Sequence, residues 1–178
     1  ALGNHTASGL APETGAVLWT HEFSDAEGEG ATNPVAIGDD KILLTSYTDA
    51  VLLQIAKSGE SYGVTELWRS REFKDSLATP VYHDGHFYGF SGNFLTCVNA
   101  ENGERVWKSR PPGGHGLILV DDRLVVYTPN GALVVIKASP EGYQEVARLQ
   151  ATENGGYTWP VFLDGKFYVR NLEQIIRV

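Results

Sequence analysis

The chain has 178 residues, of which 42% are hydrophobic and 20% charged, and its 20 glycines indicate a globular protein with many turns. Its net charge of -8 argues against nucleic acids and anionic membrane surfaces as partners, since both require a basic face. No apolar run is long enough to span a membrane, and the single cysteine, Cys97, excludes an internal disulfide and a cysteine-based zinc site.

The first part of the chain predicts short strands separated by turns. The stretch "LAPETGAVLW" places a Thr-Gly turn before a strand that ends at Trp19. "NPVAIGDDKILL" follows, with a Gly-Asp-Asp turn between two apolar runs, and a further strand pair ends at Trp68. Turns of this composition between β-rich runs predict hairpins. No segment shows a capped helical period, so we expect short antiparallel strands throughout.

The next stretch, "TPVYHDGHFYGF", carries two histidines, His83 and His86, around an Asp-Gly pair. Two histidines on a strand-turn-strand unit could bind zinc if another ligand were supplied. The chain repeats the stretch later as "WPVFLDGKFYVR", where leucine and lysine replace both histidines. A metal site would not survive that replacement, whereas a tight turn would. We therefore interpret the histidine pair as part of a hairpin turn.

These units recur with a period near forty residues, which is typical of propellers and solenoids. Runs such as "HFYGF" and "RLVVYT" show little alternation, as expected for strands covered on both faces. A β-sandwich would alternate more clearly. We therefore predict an all-β fold, a β-propeller of four-stranded antiparallel blades, in one domain over residues 1–178. The predicted repeats cover approximately 31–70, 75–110, 113–150 and 157–178.

The two ends of the chain fall in the same phase of the repeat, because Leu10, Val98 and Val178 occupy equivalent positions. About four blades are therefore expected, three continuous and one split between the termini. In that arrangement the strands of 157–178 are completed by the segment 10–23, or by missing repeats. Both a closed four-bladed ring and half of a larger ring remain open.

The motifs "NAENGERVW" and "APETGAVLW", with the "PV…DG…(F/L)Y" strand pair, resemble the PQQ-like β-propeller repeats. That family includes quinoprotein dehydrogenases and a lipoprotein scaffold of outer-membrane protein assembly. The resemblance implies a C-terminal half or fragment of a larger ring and a periplasmic or extracellular location. It also implies that Trp19, Trp68 and Trp107 dock between neighbouring blades. Ala147 occupies the fourth equivalent position, so one joint between blades is expected to be looser.

In enzymes of that family a quinone lies beside calcium and a ring of adjacent cysteines, which this chain with its one cysteine lacks. The acids that could bind calcium recur at one phase in hairpin turns, which favours a turn role. They are Asp39, Asp40, Asp84, Asp121, Asp122 and Asp164. Cys97 is interpreted as a small strand residue rather than a nucleophile. No catalytic, cofactor-binding or metal residue is therefore predicted, and no cofactor is expected.

In a propeller, the loops that lead into the innermost strand of each blade surround the mouth of the central channel. Here these loops differ between repeats, which is expected where loops carry function on a rigid scaffold. They are a candidate ligand or partner surface, with ordinary solvated loops as the alternative; the candidates are Thr32, Asn33, Ser76, Thr79, His115, Tyr157 and Trp159.

The sequence thus predicts a non-catalytic binding or scaffolding module of an exported bacterial protein. The expected partner is another protein, or a second copy of the chain that completes a larger ring. No nucleic acid and no membrane-spanning segment is expected. The alternative is a fragment of a PQQ-dependent alcohol or sugar oxidoreductase, whose PQQ and calcium site would lie in missing repeats.

Overall fold

The computed structural model describes residues 6–23, 32–74, 76 and 78–178. These residues form seventeen β strands and no helix. Within the same ranges, therefore, nothing resembles a long apolar helix that could cross a membrane. The prediction of an all-β fold is confirmed.

Three complete sheets follow one another along the chain, and each has four antiparallel strands in sequence order. The first contains β3 (Val35–Ile37), β4 (Lys41–Thr45), β5 (Ala50–Ser58) and β6 (Ser61–Ser70). The second contains β7 (Val81–His83), β8 (His86–Ser91), β9 (Phe94–Asn99) and β10 (Arg105–Ser109). The third contains β11 (Leu117–Val120), β12 (Arg123–Tyr127), β13 (Ala132–Lys137) and β14 (Glu145–Gln150).

Two smaller sheets lie at the ends. The N-terminal hairpin consists of β1 (Thr6–Leu10) and β2 (Val17–Glu22). The last sheet has three strands, β15 (Val161–Leu163), β16 (Lys166–Arg170) and β17 (Ile175–Arg177). The described part of the chain therefore amounts to about four blades.

The Asp-Gly pairs form the turns that the sequence predicts. Asp84 and Gly85 have φ angles of 43° and 76°, and Asp164 and Gly165 have 50° and 72°. Positive φ at both central residues defines a type I′ turn, whose twist matches the twist of the flanking strands. His83 pairs directly with His86 across the first of these turns. The interpretation of the histidine pair as a hairpin turn is confirmed.

Neighbouring sheets stack face to face, so each internal sheet is covered on both sides. On β8, Phe87 packs in the core between the first and second sheets. The next residue, Tyr88, points the other way and packs in the core against the third sheet. Both side chains are at most 1% exposed. Cover on both faces explains why these strands lack polar alternation, and it distinguishes the fold from a two-layer sandwich.

Tryptophans join the complete sheets. The indole Nε1 of Trp68, on β6, donates a hydrogen bond to the carbonyl oxygen of Ala100 in the second sheet's turn, at 3.0 Å. Trp107 repeats this contact from the second sheet to Ser139 of the third. At the next joint Ala147 takes the equivalent position, and a cavity of about 200 Å³ lies there. We call it the joint cavity; it is lined by Val125, Leu133, Val135, Ala147, Arg148, Leu149, Phe167 and Val178.

One expected arrangement is corrected by the structure. The strand at 16–23 does not complete the last sheet, because β2 pairs with β1, with Thr6 opposite Glu22 and Gly9 opposite Trp19. The hairpin also packs on the first sheet, where Arg69 Nη1 donates a 2.7 Å hydrogen bond to the carbonyl of Phe23. β1 and β2 are joined by a short turn, so their pairing costs far less loop entropy than closure across the whole chain. The split blade is thus not formed between the termini.

Candidate functional site at the channel mouth

The innermost strands of the three complete sheets are β3, β7 and β11. They lie side by side and form one wall of an open cavity. Its volume is about 530 Å³, and Trp159 contributes to its wall from the loop before β15. We call it the channel cavity; it is lined by Asn33, Val35, Ala36, Thr79, Pro80, Val81, Tyr82, Leu117, Ile118, Leu119 and Trp159. The structure therefore brings three of the candidate residues, Asn33, Thr79 and Trp159, to one cavity.

Two of these residues connect neighbouring sheets directly. The backbone N–H of Asn33 donates a hydrogen bond to Oγ1 of Thr79 at 3.0 Å, although the two residues are 46 positions apart. The loops that enter the first and second sheets are therefore tied together at the mouth. This contact fixes the spacing of two innermost strands without using the Asn33 amide side chain.

Aromatic rings dominate the opposite side of the mouth. The rings of His115 and Tyr157 lie 4.9 Å apart between centroids, with planes inclined by 34°. Trp159 packs on Gly116, where a Cβ atom would come within 1.7 Å of the indole Cδ1. Only glycine at 116 allows this approach. The entry loops of the third and last sheets are thus joined through stacked rings, and Tyr157 remains 83% exposed.

The remaining two candidates lie apart from this cavity and satisfy local groups. Thr32 is buried, and its hydroxyl donates to the carbonyl of Thr45 at 3.0 Å. Ser76 Oγ accepts a hydrogen bond from the N–H of Ala78 at 3.1 Å within the loop before β7. Both side chains therefore form hydrogen bonds that stabilise the local structure.

Sequence reasoning did not single out the apolar wall of the cavity. Pro80, Tyr82 and the β11 residues Leu117 and Leu119 line it. The signal was present, because "NPV", "TPV" and "WPV" mark the start of the innermost strand in three units. Which of these side chains point into the channel depends on the packing of different sheets, which no local pattern specifies.

The described residues offer little acid–base or metal chemistry at this mouth. Among them, no group of three histidine, cysteine or acidic side chains is arranged to hold a metal ion. The six acids considered for calcium all lie in loops between the first two strands of a sheet, and Asp84, Asp121 and Asp164 have φ angles of 43° to 53°. The repeat explains their positions as turn residues.

Cys97 is a fully buried residue of β9 directly opposite Tyr88. Burial raises the pKa of its thiol from 9.0 to about 12, although a hydrogen bond with the Tyr88 hydroxyl partly opposes this. Burial likewise raises the pKa of the Tyr88 phenol. Reactive cysteines require a depressed pKa and solvent access. The interpretation of Cys97 as a structural strand residue is confirmed.

Comparisons with known proteins agree with this architecture. Residues 91–177 match a family model described as outer membrane protein assembly factor BamB. The crystal structure of BamB from Moraxella catarrhalis is similar over 98% of this chain, with a TM-score of 0.71 and 16% sequence identity. The match covers 51% of that protein, so this chain spans about half its length.

A comparison with curated protein sequences found no match. The family model and the solved structure nevertheless agree with each other and with the repeat motifs of this sequence. The resemblance to PQQ-like β-propeller repeats is therefore confirmed: the family model matches residues 91–177, and nearly the whole chain shares the fold of BamB.

Proposed function

We propose that this chain is a non-catalytic scaffolding module of an exported bacterial protein and that the channel mouth binds a protein partner. The observation that carries the proposal is the channel cavity, a concave and mostly apolar surface with Asn33, Thr79 and Trp159 at its rim. Ligand sites in proteins have this character, with few polar groups fixing orientation on an apolar wall.

The aromatic residues of the mouth suit a protein partner. Tyr157 and Trp159 are 83% and 40% exposed, and large exposed aromatic side chains are the residues that most often anchor interfaces. The loops that bear them are held by contacts between sheets, so the surface is pre-organised. Binding to such a surface costs little conformational entropy.

The similarity to BamB supports a scaffolding role and an envelope location, because the matched family is described as an outer membrane protein assembly factor. Fold alone does not specify function, so the mouth itself must be tested. The alternative role is a fragment of a PQQ-dependent oxidoreductase, whose PQQ and calcium site would lie in missing repeats.

The test is site-specific photocrosslinking in the bacterial envelope. A photoreactive amino acid replaces Thr79 or Tyr157 at the mouth, and Lys57 or Glu60 on the distant β5–β6 hairpin serves as the control. We expect one discrete crosslinked partner from the mouth positions, lost when Trp159→Ala is added, and none from the control positions. Equal crosslinking at all four positions, or none at the mouth, would overturn the proposal.

A further inference from the structure

A second open cavity lies between the second and third sheets, on the same side of the fold as the channel mouth. Its volume is about 660 Å³. Three connections form it, namely the turn from β8 to β9, the loop from β10 to β11 and the turn from β12 to β13. Both sheets are complete and lie in the middle of the described chain. We call this cavity the basic pocket; the polar and aromatic side chains of its lining are Asn93, Phe94, Arg110, His115 and Asn130.

The ionisable side chains of the basic pocket are all of the basic type. Among the described residues that line it, Arg110 and His115 can carry a positive charge and none is acidic. The guanidinium carbon of Arg110 lies 5.5 Å from the centroid of the Phe94 ring. Lys108 Nζ lies 4.7 Å from the same centroid. Two cations therefore contact a single aromatic ring in the wall of the pocket.

The other two complete sheets neutralise the position that Lys108 occupies. On the fourth strand of each sheet, a cation directly follows the position of the tryptophans that join the sheets. This cation is Arg69 in the first sheet, Lys108 in the second and Arg148 in the third. Arg69 Nη2 lies 2.8 Å from Oε2 of Glu66, three residues earlier. Arg148 Nη2 likewise lies 2.8 Å from Oε2 of Glu145, also three residues earlier.

The second sheet has no carboxylate at either of the positions that neutralise this cation in the first sheet. Three residues before Lys108, the second sheet has Arg105 in place of a glutamate. The first sheet also has Asp49, whose Oδ2 lies 3.4 Å from Arg69 Nη1. The strand registers place Phe94 at the position of Asp49. An aromatic ring and a second cation thus replace the two acids around the equivalent position.

The cations at the basic pocket are consequently available to an external anion. Neither Lys108 nor Arg110 forms an ion pair with a carboxylate among the residues that the structure describes. An aromatic ring attracts a cation through its quadrupole and leaves the charge in place. The pocket is therefore a positive site in a chain whose net charge is -8. A guanidinium such as that of Arg110 can bind a carboxylate through two parallel hydrogen bonds.

The loop that carries Arg110 and His115 is held in place by contacts with the neighbouring sheets. Gly114 packs on the third sheet, where a Cβ atom would come within 2.8 Å of Val126 Cγ1. The His115 ring stacks on Tyr157 of the next entry loop, with 4.9 Å between centroids. An ordered loop loses little conformational entropy when a ligand binds. The pocket is therefore pre-organised.

We propose that the basic pocket binds an acidic segment of a partner protein, with a carboxylate side chain on the Arg110 guanidinium. Apolar side chains of the same segment contact Phe94 and the wall prolines Pro112 and Pro129. A cavity of about 660 Å³ with this apolar wall accommodates several side chains, whereas an inorganic anion would leave most of it empty. This surface recognises charge, goes beyond the channel mouth and does not depend on the function proposed for that mouth.

The test uses a capped peptide of sequence GEEFEEG, titrated into the full chain and followed by backbone amide NMR. We expect saturable binding that shifts the amide signals of Asn93, Gly113, Gly114 and Asn130. The affinity should fall as salt is added, because salt screens exposed charges. The peptides GQQFQQG and GKKFKKG keep the length and the phenylalanine but remove or reverse the charge. Each is expected to bind at least about tenfold more weakly.

Matched variants identify the cations that bind the peptide. Arg110→Glu should weaken the binding of GEEFEEG by about tenfold and strengthen the binding of GKKFKKG. Phe94→Asp supplies the carboxylate that the first sheet has at this position, so it should also weaken the binding of GEEFEEG. Lys57→Glu is the matched control, because Lys57 Nζ lies 5.6 Å from the centroid of the Tyr62 ring on a distant hairpin. It should leave the affinity unchanged.

Three results would overturn the inference. One is binding of GQQFQQG as tight as that of GEEFEEG, and another is the absence of saturable binding. The third is displacement of the peptide by an equimolar amount of inorganic phosphate, which would make the pocket a site for small anions. A Thr79→Val variant, changed at the channel mouth, should keep its peptide affinity. Failure of this inference is therefore distinguishable from failure of the mouth proposal.

Discussion

The indole Nε1 of Trp107 donates a hydrogen bond to the backbone carbonyl of Ser139 at 2.9 Å and thereby ties the second sheet to the third. Trp68 makes the same contact with Ala100, also 32 residues ahead, between the first and second sheets. Trp68 also packs on Gly103, where a Cβ would come within 2.6 Å of the indole Cε3. A repeated tryptophan therefore sets the spacing of successive sheets through a backbone contact that does not depend on the side chain it meets.

Replacing Trp107 by phenylalanine should weaken the joint between the second and third sheets. The substitution keeps an aromatic ring but leaves the Ser139 carbonyl without its donor, a loss of about 1–3 kcal/mol for a buried acceptor. The free energy of unfolding from urea denaturation measures this loss. Val106→Ala, at the neighbouring exposed position, should change it by less than about 0.5 kcal/mol. Equal effects of the two variants would show that the indole contact contributes nothing.

The joint between the third and last sheets should gain stability from the tryptophan that it lacks. Ala147→Trp would fill the joint cavity of about 200 Å³ and mimic the two inner joints. Cavity filling commonly adds about 0.5–2 kcal/mol to the free energy of unfolding. Thermal and urea unfolding of the variant measure the gain. A loss of stability would mean that the cavity does not have the shape of an indole, since overpacking is itself destabilising.

The turn at His83 to His86 should tolerate the loss of both histidines and not the loss of its glycine. His83→Leu combined with His86→Lys copies the last sheet's turn, so the free energy of unfolding should stay within about 0.5 kcal/mol of the parent's. Gly85 has a φ of 76°, and an L-residue there costs about 1–2 kcal/mol. Gly85→Ala should therefore be the destabilising variant. Added zinc should leave the melting temperature of the parent unchanged; a rise abolished by the double variant would reinstate a metal site.

The strands and turns could be predicted from the sequence because their causes are local. Asp84 and Gly85 adopt the positive φ angles that their residue types favour, and the apolar run on β8 is explained by cover on both faces. The Trp68 and Trp107 contacts between sheets are those that the resemblance to PQQ-like repeats implies. Ala147 is the missing member of that series, and the joint cavity lies beside it.

The partner of β2 and the wall of the channel cavity could not be predicted in the same way. β1 and β17 occupy the same phase of the repeat, so the sequence offers β2 two equivalent partners and local loop closure decides between them. The contact between Asn33 and Thr79 joins positions 46 residues apart on different sheets. Such contacts depend on how sheets are placed around the axis, which periodicity does not specify.

The chain by itself should not hold a quinone cofactor. Purified chain mixed with PQQ and calcium should retain no stoichiometric chromophore after gel filtration and should not reduce a redox dye in the presence of alcohols or sugars. The physical reason is that the available acids are turn residues, whereas calcium requires about 6–8 oxygen ligands converging on one point. A known quinoprotein treated in parallel is the positive control. A stable chromophore in this chain would favour the oxidoreductase.

The buried thiol of Cys97 should make the protein sensitive to alkaline pH while remaining inert at neutral pH. Its pKa is raised from 9.0 in the unfolded chain to about 12 in the fold. The folded state therefore keeps the proton that the unfolded state releases, so this contribution to stability is complete below pH 9 and is lost as the pH rises toward 12. Across this pH range the free energy of unfolding, measured with urea, should fall more steeply for the parent than for Cys97→Ala, which retains the Tyr88 phenol.

A thiol reagent at pH 8 should modify Cys97 of the parent only after unfolding, because reactivity requires an accessible thiolate. Rapid labelling of the folded chain, or identical pH slopes for the two proteins, would contradict the burial of Cys97 between the second and third sheets.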